Sequence, residues 1–392
     1  MSKLERLIQQ YCPDGVEWKP LGEVCDSLNK GTLTTSKLVK SNGHNYPVIN
    51  SGRELYGYYS KYNNEGDALT IAARGEYAGF VSYFSERFWA GGLCYPYRAN
   101  TPTVSTKYLY YYLKSKQEYI RHCLVAEGGI PALNKSIIEM FEIPVPPLPV
   151  QEEIVRILDT FTELQAELQA ELQKRQQQYN FYRDNLLTNF TEEQNVKEYS
   201  LGELGTFTRG NGLQKKDFTK EGVGCIHYGQ IYTRFGAFAD KTLTYVNKEL
   251  ASRLLQVEKG NLVIACTSEN VEDICKSVAW LGEENICTGG HACVFKHNQN
   301  PKYISYFFQT EYFFNQKKKY TYGTKVKDIK PDSIAKIKIS LPSLKEQERI
   351  VSILDNLYTL TNDLTSGLPA EMEKRRQQYE YYRDRLLTFK RL

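Results

Sequence analysis

The stretch QEEIVRILD at residues 151–159 recurs as QERIVSILD at residues 347–355. The second copy lies 196 residues after the first, which is half of the 392-residue chain. Self-similarity at one fixed offset indicates that a whole structural unit has been duplicated. The chain therefore consists of two related modules, each of which contains one copy of this stretch.

The match extends outward from both copies. Upstream, IPVPPL at 143–148 aligns with ISLPSL at 339–344 at the same offset. Downstream, QQYNFYRDNLLT at 177–188 aligns with QQYEYYRDRLLT at 377–388, but at an offset of 200, so the second copy carries four extra residues. The module starts also match, since VEWKPLGEV begins at Val16 and VKEYSLGEL begins at Val196.

The interiors of the modules match only in outline, as in LTIA at 69–72 against LVIA at 262–265. Short β-branched and aromatic runs separated by Gly, Asn and Pro predict strands and turns, with one helix in each interior near residues 105–120 and 300–316. Each globular part is therefore predicted to be α+β. One frame around two divergent interiors indicates two related domains that do the same task on different targets.

A long helix is predicted to follow each globular part, because a Pro-rich stop precedes an apolar 4-3 spacing. The first seam comprises Ile154, Leu158, Phe161, Gln165, Leu168, Leu172, Arg175, Tyr179, Tyr182 and Leu186. The second comprises Ile350, Leu354, Leu357, Thr361, Leu364, Leu368, Met372, Arg375, Tyr379, Tyr382 and Leu386. The two copies favour paired helices over ordinary core helices, which are the alternative.

The four extra residues in the second helix leave two alternatives open. They can act as a stutter, which keeps the apolar stripe nearly continuous. Alternatively, Gly367 and Pro369 break the helix, and a new helix begins with Pro369 in its first turn.

The net charge of +4 excludes a strongly basic or acidic tail protein. It divides into +2 on residues 1–147, −3 on 148–190, +4 on 191–342 and +1 on 343–392. Within 317–338, eight lysines stand against two aspartates, which is compatible with a phosphate-binding surface or with a solvated face.

Motifs for several enzyme classes are missing from the sequence. There is no Gly-Lys dipeptide for a P-loop, no G-x-G-x-x-G, no G-x-S-x-G, and no Asn-Pro-Pro-aromatic or Asp-Pro-Pro-aromatic tetrad. Cys287, His291 and Cys293 lack a fourth zinc ligand at finger-like spacing and are expected to be structural. The nine cysteines are expected to be reduced, and without an apolar leader or spanning segment the protein is expected in the cytoplasm, with no membrane partner.

The helix entries with Gln-Glu, the Gln-Gln-Tyr-x-aromatic-Tyr-Arg-Asp-x-Leu-Leu endings and the Leu-Gly-Glu starts together resemble the specificity subunit of type I restriction-modification systems. The resemblance covers essentially the whole chain. It implies two target recognition domains at 1–147 and 191–342, a central spacer helix at 148–190 and a C-terminal spacer helix at 343–392. The helices would pair as an antiparallel coiled coil.

The resemblance further implies a non-catalytic subunit that reads a bipartite site in double-stranded DNA. Two modification subunits, which bind S-adenosylmethionine and methylate adenine, would dock on it, and restriction motor-nuclease subunits could join. No cofactor is expected in this chain. The alternative from another class is a coiled-coil scaffold that binds only proteins, and an enzyme with an unfamiliar site is a third possibility.

Polar loops beside the predicted strands supply the candidate DNA contacts, because base edges and phosphates are bound by such side chains. In the first domain they are Thr34, Thr35, Lys37, Arg53, Tyr56, Arg74, Glu76 and Tyr77. In the second domain they are Arg209, Lys215, Lys216, Gln230, Tyr232, Thr233, Arg234, Thr267, Ser268, Asn270 and Lys325. The helix ends supply candidate contacts to the modification subunits at Tyr182, Arg183, Tyr382 and Arg383, although packing along the seam is the alternative for the two tyrosines.

Overall fold

A computed structural model of the chain describes residues 2–191, 196–362 and 366–392. The chain divides into two compact units. Unit 1 contains residues 1–167 together with 373–392, and unit 2 contains residues 168–372. Each unit thus combines one globular part with segments of both long helices.

The globular part of unit 1 contains sixteen α-helices and β-strands within the described residues. In chain order they are α1 Lys3–Tyr11, β1 Glu17–Pro20, α2 Leu21–Val24, β2 Cys25–Ser27, β3 Tyr46–Ile49, β4 Gly57–Tyr59, β5 Ala68–Ala72, β6 Val81–Phe84, β7 Trp89–Ala90, β8 Cys94–Ala99, α3 Thr106–Ser115, α4 Gln117–Tyr119, β9 Val125–Ala126, β10 Ala132–Leu133, α5 Lys135–Glu139 and β11 Glu142–Val145.

Two small sheets form the centre of unit 1. One has the strand order β2-β8-β5-β6 and the other has the order β4-β3-β7, while β1 pairs with β11 and β9 with β10. Every residue of β5 is buried, which explains why four of its five residues are apolar. Leu69 and Ile71 share a core with Tyr108 and Leu109 of α3. This core therefore fixes α3 against the first sheet.

Unit 2 contains a longer set of elements. In chain order they are β12 Lys197–Ser200, α7 Leu201–Leu204, β13 Gly205–Arg209, β14 Val223–Ile226, α8 Tyr228–Thr233, β15 Phe238–Ala239, β16 Thr244–Val246, α9 Lys248–Ala251, β17 Leu255–Val257, β18 Leu262–Ala265, β19 Thr267–Ser268, β20 Ser277–Trp280, β21 Ile286–Thr288, β22 Ala292–His297, α10 Pro301–Phe307, α11 Glu311–Tyr320, β23 Lys327–Asp328, α12 Pro331–Ile334 and β24 Lys338–Leu341.

The sheets of unit 2 follow the same plan with one added strand in each. Their orders are β13-β22-β18-β20-β15 and β16-β14-β21-β17, and β12 pairs with β24 as β1 pairs with β11. The single helix predicted near 300–316 is two helices, α10 and α11. The Thr310 side chain accepts a hydrogen bond from the Phe313 backbone N–H and so caps the start of α11.

The long helices are α6 Leu148–Thr188, α13 Leu344–Asn362 and α14 Gly367–Leu386. The second long helix is therefore two helices, and Ser366 lies outside both of them. Gly367 has φ +74°, and a Cβ atom there would lie 2.5 Å from the Thr359 carbonyl oxygen, so the new helix begins at a position that only glycine fits. Leu364 of the predicted seam lies outside the described residues. None of the described helices has both the length and the apolar character needed to cross a bilayer.

The helices pair in an antiparallel sense. In unit 1, Phe161 of α6 contacts Tyr379 and Tyr382 of α14 at ring distances of 6.3 and 5.6 Å. In unit 2, Tyr179 of α6 contacts Tyr358 of α13 at 6.0 Å. Position along α6 thus rises as position along its partner falls, which confirms the antiparallel coiled coil.

Candidate nucleic-acid interface

The loops that follow β18 and precede α12 meet on one side of unit 2. Strand β19 pairs antiparallel with β23, so that Thr267 lies opposite Asp328 and Ser268 lies opposite Lys327. The Arg209 guanidinium donates two hydrogen bonds to the Asp328 carboxylate, at 3.1 and 2.7 Å. The structure therefore brings Arg209, Thr267 and Ser268 together around the turn that carries Lys325.

This ion pair limits what Arg209 can do. Burial opposes ionisation of Asp328, but hydrogen bonds from Arg209 and Tyr322 outweigh it and hold the pKa of the carboxyl below its usual range. A guanidinium engaged in this way orients the Asp328 turn. Arg209 thus supports the loop on which Lys325 is exposed.

Helix α8 and its C-terminal end carry four candidate residues. Two of them are hydrogen-bonded within the protein, and the other two have exposed side chains. The Gln230 carboxamide oxygen accepts from the His227 backbone N–H at 3.0 Å, and the Tyr232 hydroxyl donates to the Thr267 carbonyl. The first bond caps the start of α8, and the second holds the helix beside β19. Thr233 and Arg234, at the end of the helix, have exposed side chains and can reach a ligand.

The remaining candidates of unit 2 include three exposed polar side chains, of which Asn270 is hydrogen-bonded to a neighbour. Lys215 and Lys216 form a short exposed turn. Asn270 is exposed, but its side chain closes a turn by accepting from the Asp273 backbone N–H at 2.7 Å and donating to the Asp273 carboxylate. The Asn270 side chain can therefore contact DNA only if it gives up these hydrogen bonds.

One lysine of the basic segment 317–338 is not on the surface. Lys317 is buried, and its ammonium donates to the carbonyl oxygens of Glu272 and Ile274 at 2.9 and 2.5 Å. Burial lowers the pKa of this ammonium. The inclusion of Lys317 in a phosphate-binding surface is thus wrong, because its ammonium is buried and bound to two backbone carbonyls.

In unit 1, a tight turn after β5 carries Arg74, Glu76 and Tyr77, and all three side chains are exposed. Gly75 lies in this turn with φ +91°, and its N–H donates to the Pro131 carbonyl at 2.9 Å. Arg74 also forms an isolated bridge with Ala132. The structure therefore places the Arg74 turn against a second loop, residues 127–131.

Sequence reasoning missed this second loop, which connects β9 and β10. It contains two glycines whose Cβ positions face open space, followed by Ile130, which is 68% exposed. The signal that could have revealed it is the run GGIP at 128–131. At the offset of 196 residues, this run matches the segment of the second module that contains Lys325. Each unit therefore presents a pair of adjacent loops.

The other candidates of unit 1 lie on separate segments. Thr34 precedes a short 3-10 turn that contains Thr35 and Lys37, and all three side chains are exposed. Arg53 and Tyr56 are exposed too, and the Tyr56 hydroxyl lies 3.1 Å from that of Ser51. Among the described residues, none of these five side chains is hydrogen-bonded to the Arg74 turn.

The ends of α6 and α14 carry matching exposed aromatic pairs. Phe181 and Tyr182 belong to unit 2, whereas Tyr381 and Tyr382 belong to unit 1; Phe181 is 63% exposed and Tyr381 60%. The following arginines repeat one arrangement, which Arg183 illustrates. Its guanidinium is paired with Asp184 at 2.8 Å and lies 5.5 Å from the Tyr179 ring. In unit 1, Arg383 does the same with Asp384 and Tyr379.

The residues considered as zinc ligands belong to the sheets of unit 2. Cys287 and Cys293 are buried in β21 and β22, and His291 contacts the ring of Tyr228 at 4.9 Å. Across the part of the chain that the structure describes, no group of three or more His, Cys, Asp or Glu is arranged to hold a metal ion.

A family model described as the type I restriction modification DNA specificity domain matches the chain twice, at residues 13–175 and 193–374. A putative type I restriction enzyme specificity subunit of Haemophilus influenzae is 31% identical to the chain, and the alignment covers 98% of each protein. A type I restriction enzyme specificity subunit of Escherichia coli is 30% identical, with 99% of this chain and 97% of that protein covered.

Two solved structures share the fold. A type I restriction-modification S subunit from M. genitalium superposes with a TM-score of 0.57 at 18% identity, over 95% of this chain and 96% of that one. A chain from a structure described as explaining complex assembly and conformational transition of the type I R-M system superposes with a TM-score of 0.59 at 13% identity, over 96% and 98%.

Proposed function

The chain belongs to the type I restriction-modification DNA specificity family, and from this we propose that each unit reads one half of a split DNA target. The observation that carries the proposal is the repeat itself: two modules share one frame, but the loops that their frames display differ in chemistry. Such divergence is expected where each copy recognises a different base sequence. Both loop pairs expose side chains that can contact base edges or phosphates.

Unit 2 offers the more basic surface. Lys215, Lys216 and Lys325 are exposed and can neutralise phosphates, whereas Thr233 and Arg234 protrude at the end of α8. An exposed Arg can bind both acceptors of a guanine in the major groove. We assign Arg234 to base reading and the three lysines to the backbone.

Unit 1 offers a more neutral surface. Arg74, Glu76 and Tyr77 project from one turn, which can combine an Arg for guanine, a Glu for the cytosine amino group and an aromatic ring for apolar contact. Thr34, Thr35, Lys37, Arg53 and Tyr56 lie on flanking segments and supply further contacts. We assign Arg74 the leading role in the first half-site.

The exposed aromatic pairs support two equivalent docking sites for modification subunits. Tyr, Phe and Arg are enriched in protein interfaces because each can bury a large area, and Tyr and Arg also carry hydrogen-bonding groups. One pair lies in each unit, so that two copies of one partner can bind in the same way. We further propose that this chain performs no catalysis, that S-adenosylmethionine binds to the modification subunits, that motor-nuclease subunits can join and that the complex works in the cytoplasm.

The docking sites are tested by removing one aromatic pair at a time. Phe181→Ala with Tyr182→Ala is expected to reduce the number of bound modification subunits from two to one, because the Tyr381 pair is intact. The mirror variant at Tyr381 and Tyr382 should lose the other copy, and Tyr119→Ala, an exposed tyrosine elsewhere in unit 1, serves as the control. Native mass spectrometry measures the stoichiometry. Two bound copies in both variants would refute this docking surface.

Mapping methylated adenines tests the reading function. In a host that expresses this chain with its modification subunit, we expect two short defined runs of bases separated by a fixed number of undefined positions. Purified complex should bind this target with an affinity that falls steeply with salt, because several phosphates are neutralised. An assembled complex with salt-independent or undetectable DNA binding would favour the protein scaffold instead.

A further inference from the structure

One polar joint ties each globular part to its long helix. In unit 1, Lys107 and Tyr111 lie one turn apart on α3 and both bind Asp159 of α6. The Lys107 ammonium lies 2.7 Å from one carboxylate oxygen, and the Tyr111 hydroxyl donates to the other at 2.6 Å. We call this set of three residues the α3–α6 joint.

The same joint occurs in unit 2. Lys302 and Tyr306 of α10 bind Asp355 of α13, also at 2.7 and 2.6 Å. We call this set the α10–α13 joint. The two joints therefore have matching residues and matching distances, although the two globular parts differ in their strand number and in their loops.

A buried glutamine provides a second anchor on each helix. The Gln151 side chain accepts from the Ser105 backbone N–H at 2.9 Å and donates to the Thr103 and Pro146 carbonyls at 2.8 and 2.6 Å. Gln347 likewise accepts from the Asn300 N–H at 3.0 Å and donates to the Pro342 carbonyl at 2.9 Å. Each glutamine lies eight residues before the aspartate of its joint, which is about 12 Å along a helix.

These polar anchors fix the orientation of the helix in addition to the apolar contacts that bury it. Ile154 and Leu158 already pack the helix on unit 1, as Ile350 and Leu354 do on unit 2. Apolar contacts tolerate sliding and rotation, whereas short hydrogen bonds to both oxygens of one carboxylate are directional. Two directional anchors about 12 Å apart fix the rotation of the globular part about the helix axis as well as its position along that axis.

We propose that the two joints are positioning devices that hold each globular part at one angle to its helix, so that the complex accepts one gap length between the half-sites. This inference rests on the proposed reading function. Adding one base pair to the gap shifts one half-site by about 3.4 Å and rotates it by about 35° about the DNA axis. Rejecting such a target requires that the globular parts cannot pivot to follow it.

The test uses the chain assembled with its modification subunits and a DNA library in which the gap is up to two base pairs shorter or longer than the natural one. The selectivity is the methylation rate at the natural gap divided by that at a gap changed by one base pair. Asp159→Asn and Asp355→Asn should each lower this ratio by about tenfold, because a charge-assisted anchor is lost. The base preference within each half-site should not change.

Milder variants and a control guard against a failure to fold. Tyr111→Phe and Tyr306→Phe remove one hydrogen bond and keep the packing, and they should lower the ratio by a smaller factor. Glu346→Gln breaks the ion pair with Arg349, at 2.7 Å, on the same helix as Asp355 but away from its joint, and it should leave the ratio unchanged.

An unchanged ratio in the aspartate and tyrosine variants, or an equal loss of rate at every gap length, would overturn the positioning role. A wild-type complex that shows no bipartite target would overturn the proposed function instead. The two failures are therefore distinguishable.

Discussion

The joints are the same in the two units, whereas the loops differ between them. The α3–α6 and α10–α13 joints repeat to within 0.1 Å, with Asp159 and Asp355 in the same role. The adjacent loops differ in charge: unit 1 presents Gly128 and Gly129 where unit 2 presents Thr324 and Lys325. The two units therefore attach to their helices in the same way, whereas the loop surfaces that they carry differ.

The largest expected effect tests whether the units are separate in stability. Leu158 and Leu354 occupy matching positions in the repeated stretch and are fully buried in different cores. Leu158→Ala should cost about 3 kcal/mol of unfolding free energy in unit 1 alone, and Leu354→Ala the same in unit 2. Hydrogen exchange read by peptide measures this, with the exposed Leu344→Ala as control. Equal loss of protection in both units would show that they unfold together.

The next effect tests whether the loops act on separate half-sites. Arg74→Ala should weaken binding to one half-site by about 1–3 kcal/mol, and Arg234→Ala should weaken binding to the other, because each loses a base-edge contact. Competition with targets altered in one half at a time measures this, and the untouched half is the internal control. An equal loss at both half-sites in either variant would contradict the assignment.

A pH effect should distinguish the units. Burial lowers the pKa of His297 from 6.5 to about 4. Its matching position at the end of β8 is Ala99, so unit 1 lacks this group. Because the unfolded state binds the proton more readily, the stability of unit 2 should fall by about 2–3 kcal/mol as pH drops from 6.5 to 4.

His297→Gln isolates this contribution. The glutamine can still accept from the Gln299 backbone N–H, which now donates to the His297 ring at 3.1 Å. In the variant, the part of the pH dependence between 6.5 and 4 that belongs to His297 should disappear from exchange in β22. If the pH profiles of the wild type and the variant coincide, His297 is not the cause.

The smallest effect separates an open lysine from a buried one. Lys325→Ala should reduce the slope of log affinity against log salt by about 0.9 and weaken binding to all sequences alike, because one phosphate contact is lost. Lys317→Ala should leave the slope unchanged and destabilise unit 2, since Lys317 holds two backbone carbonyls. Salt titrations of both variants would contradict this distinction if their slopes fell equally.

The repeated frame could be predicted from the sequence, because buried helix faces require apolar residues at regular spacing and turns require Gly or Pro at matching positions. The seam residues Leu158 and Leu354 and the helix entry at Gln151 could be identified from spacing alone. The broken second helix was one of two open alternatives, since only the positive φ of Gly367 decides between them. The antiparallel pairing came from resemblance to the family.

The hydrogen-bond partners of the loop side chains could not be predicted from the sequence. Arg209 and Lys317 have the charge of DNA-binding residues, but Arg209 pairs with Asp328, 119 residues away, and Lys317 with the Ile274 carbonyl, 43 residues away. Such long-range contacts have no local signature. The loop at 127–131 was missed for a related reason, because glycines carry no side-chain chemistry that marks an interface.

The most direct test of the central claim, that each unit reads one half-site through its own globular part, is a hybrid chain. Residues 17–145 would be replaced by residues 197–341, because β1 with β11 and β12 with β24 close the two globular parts in the same register. Methylated adenines would then be mapped for the hybrid assembled with its modification subunits. We predict a target in which both halves have the sequence of the second half-site. Survival of the first half-site in that target would contradict the account.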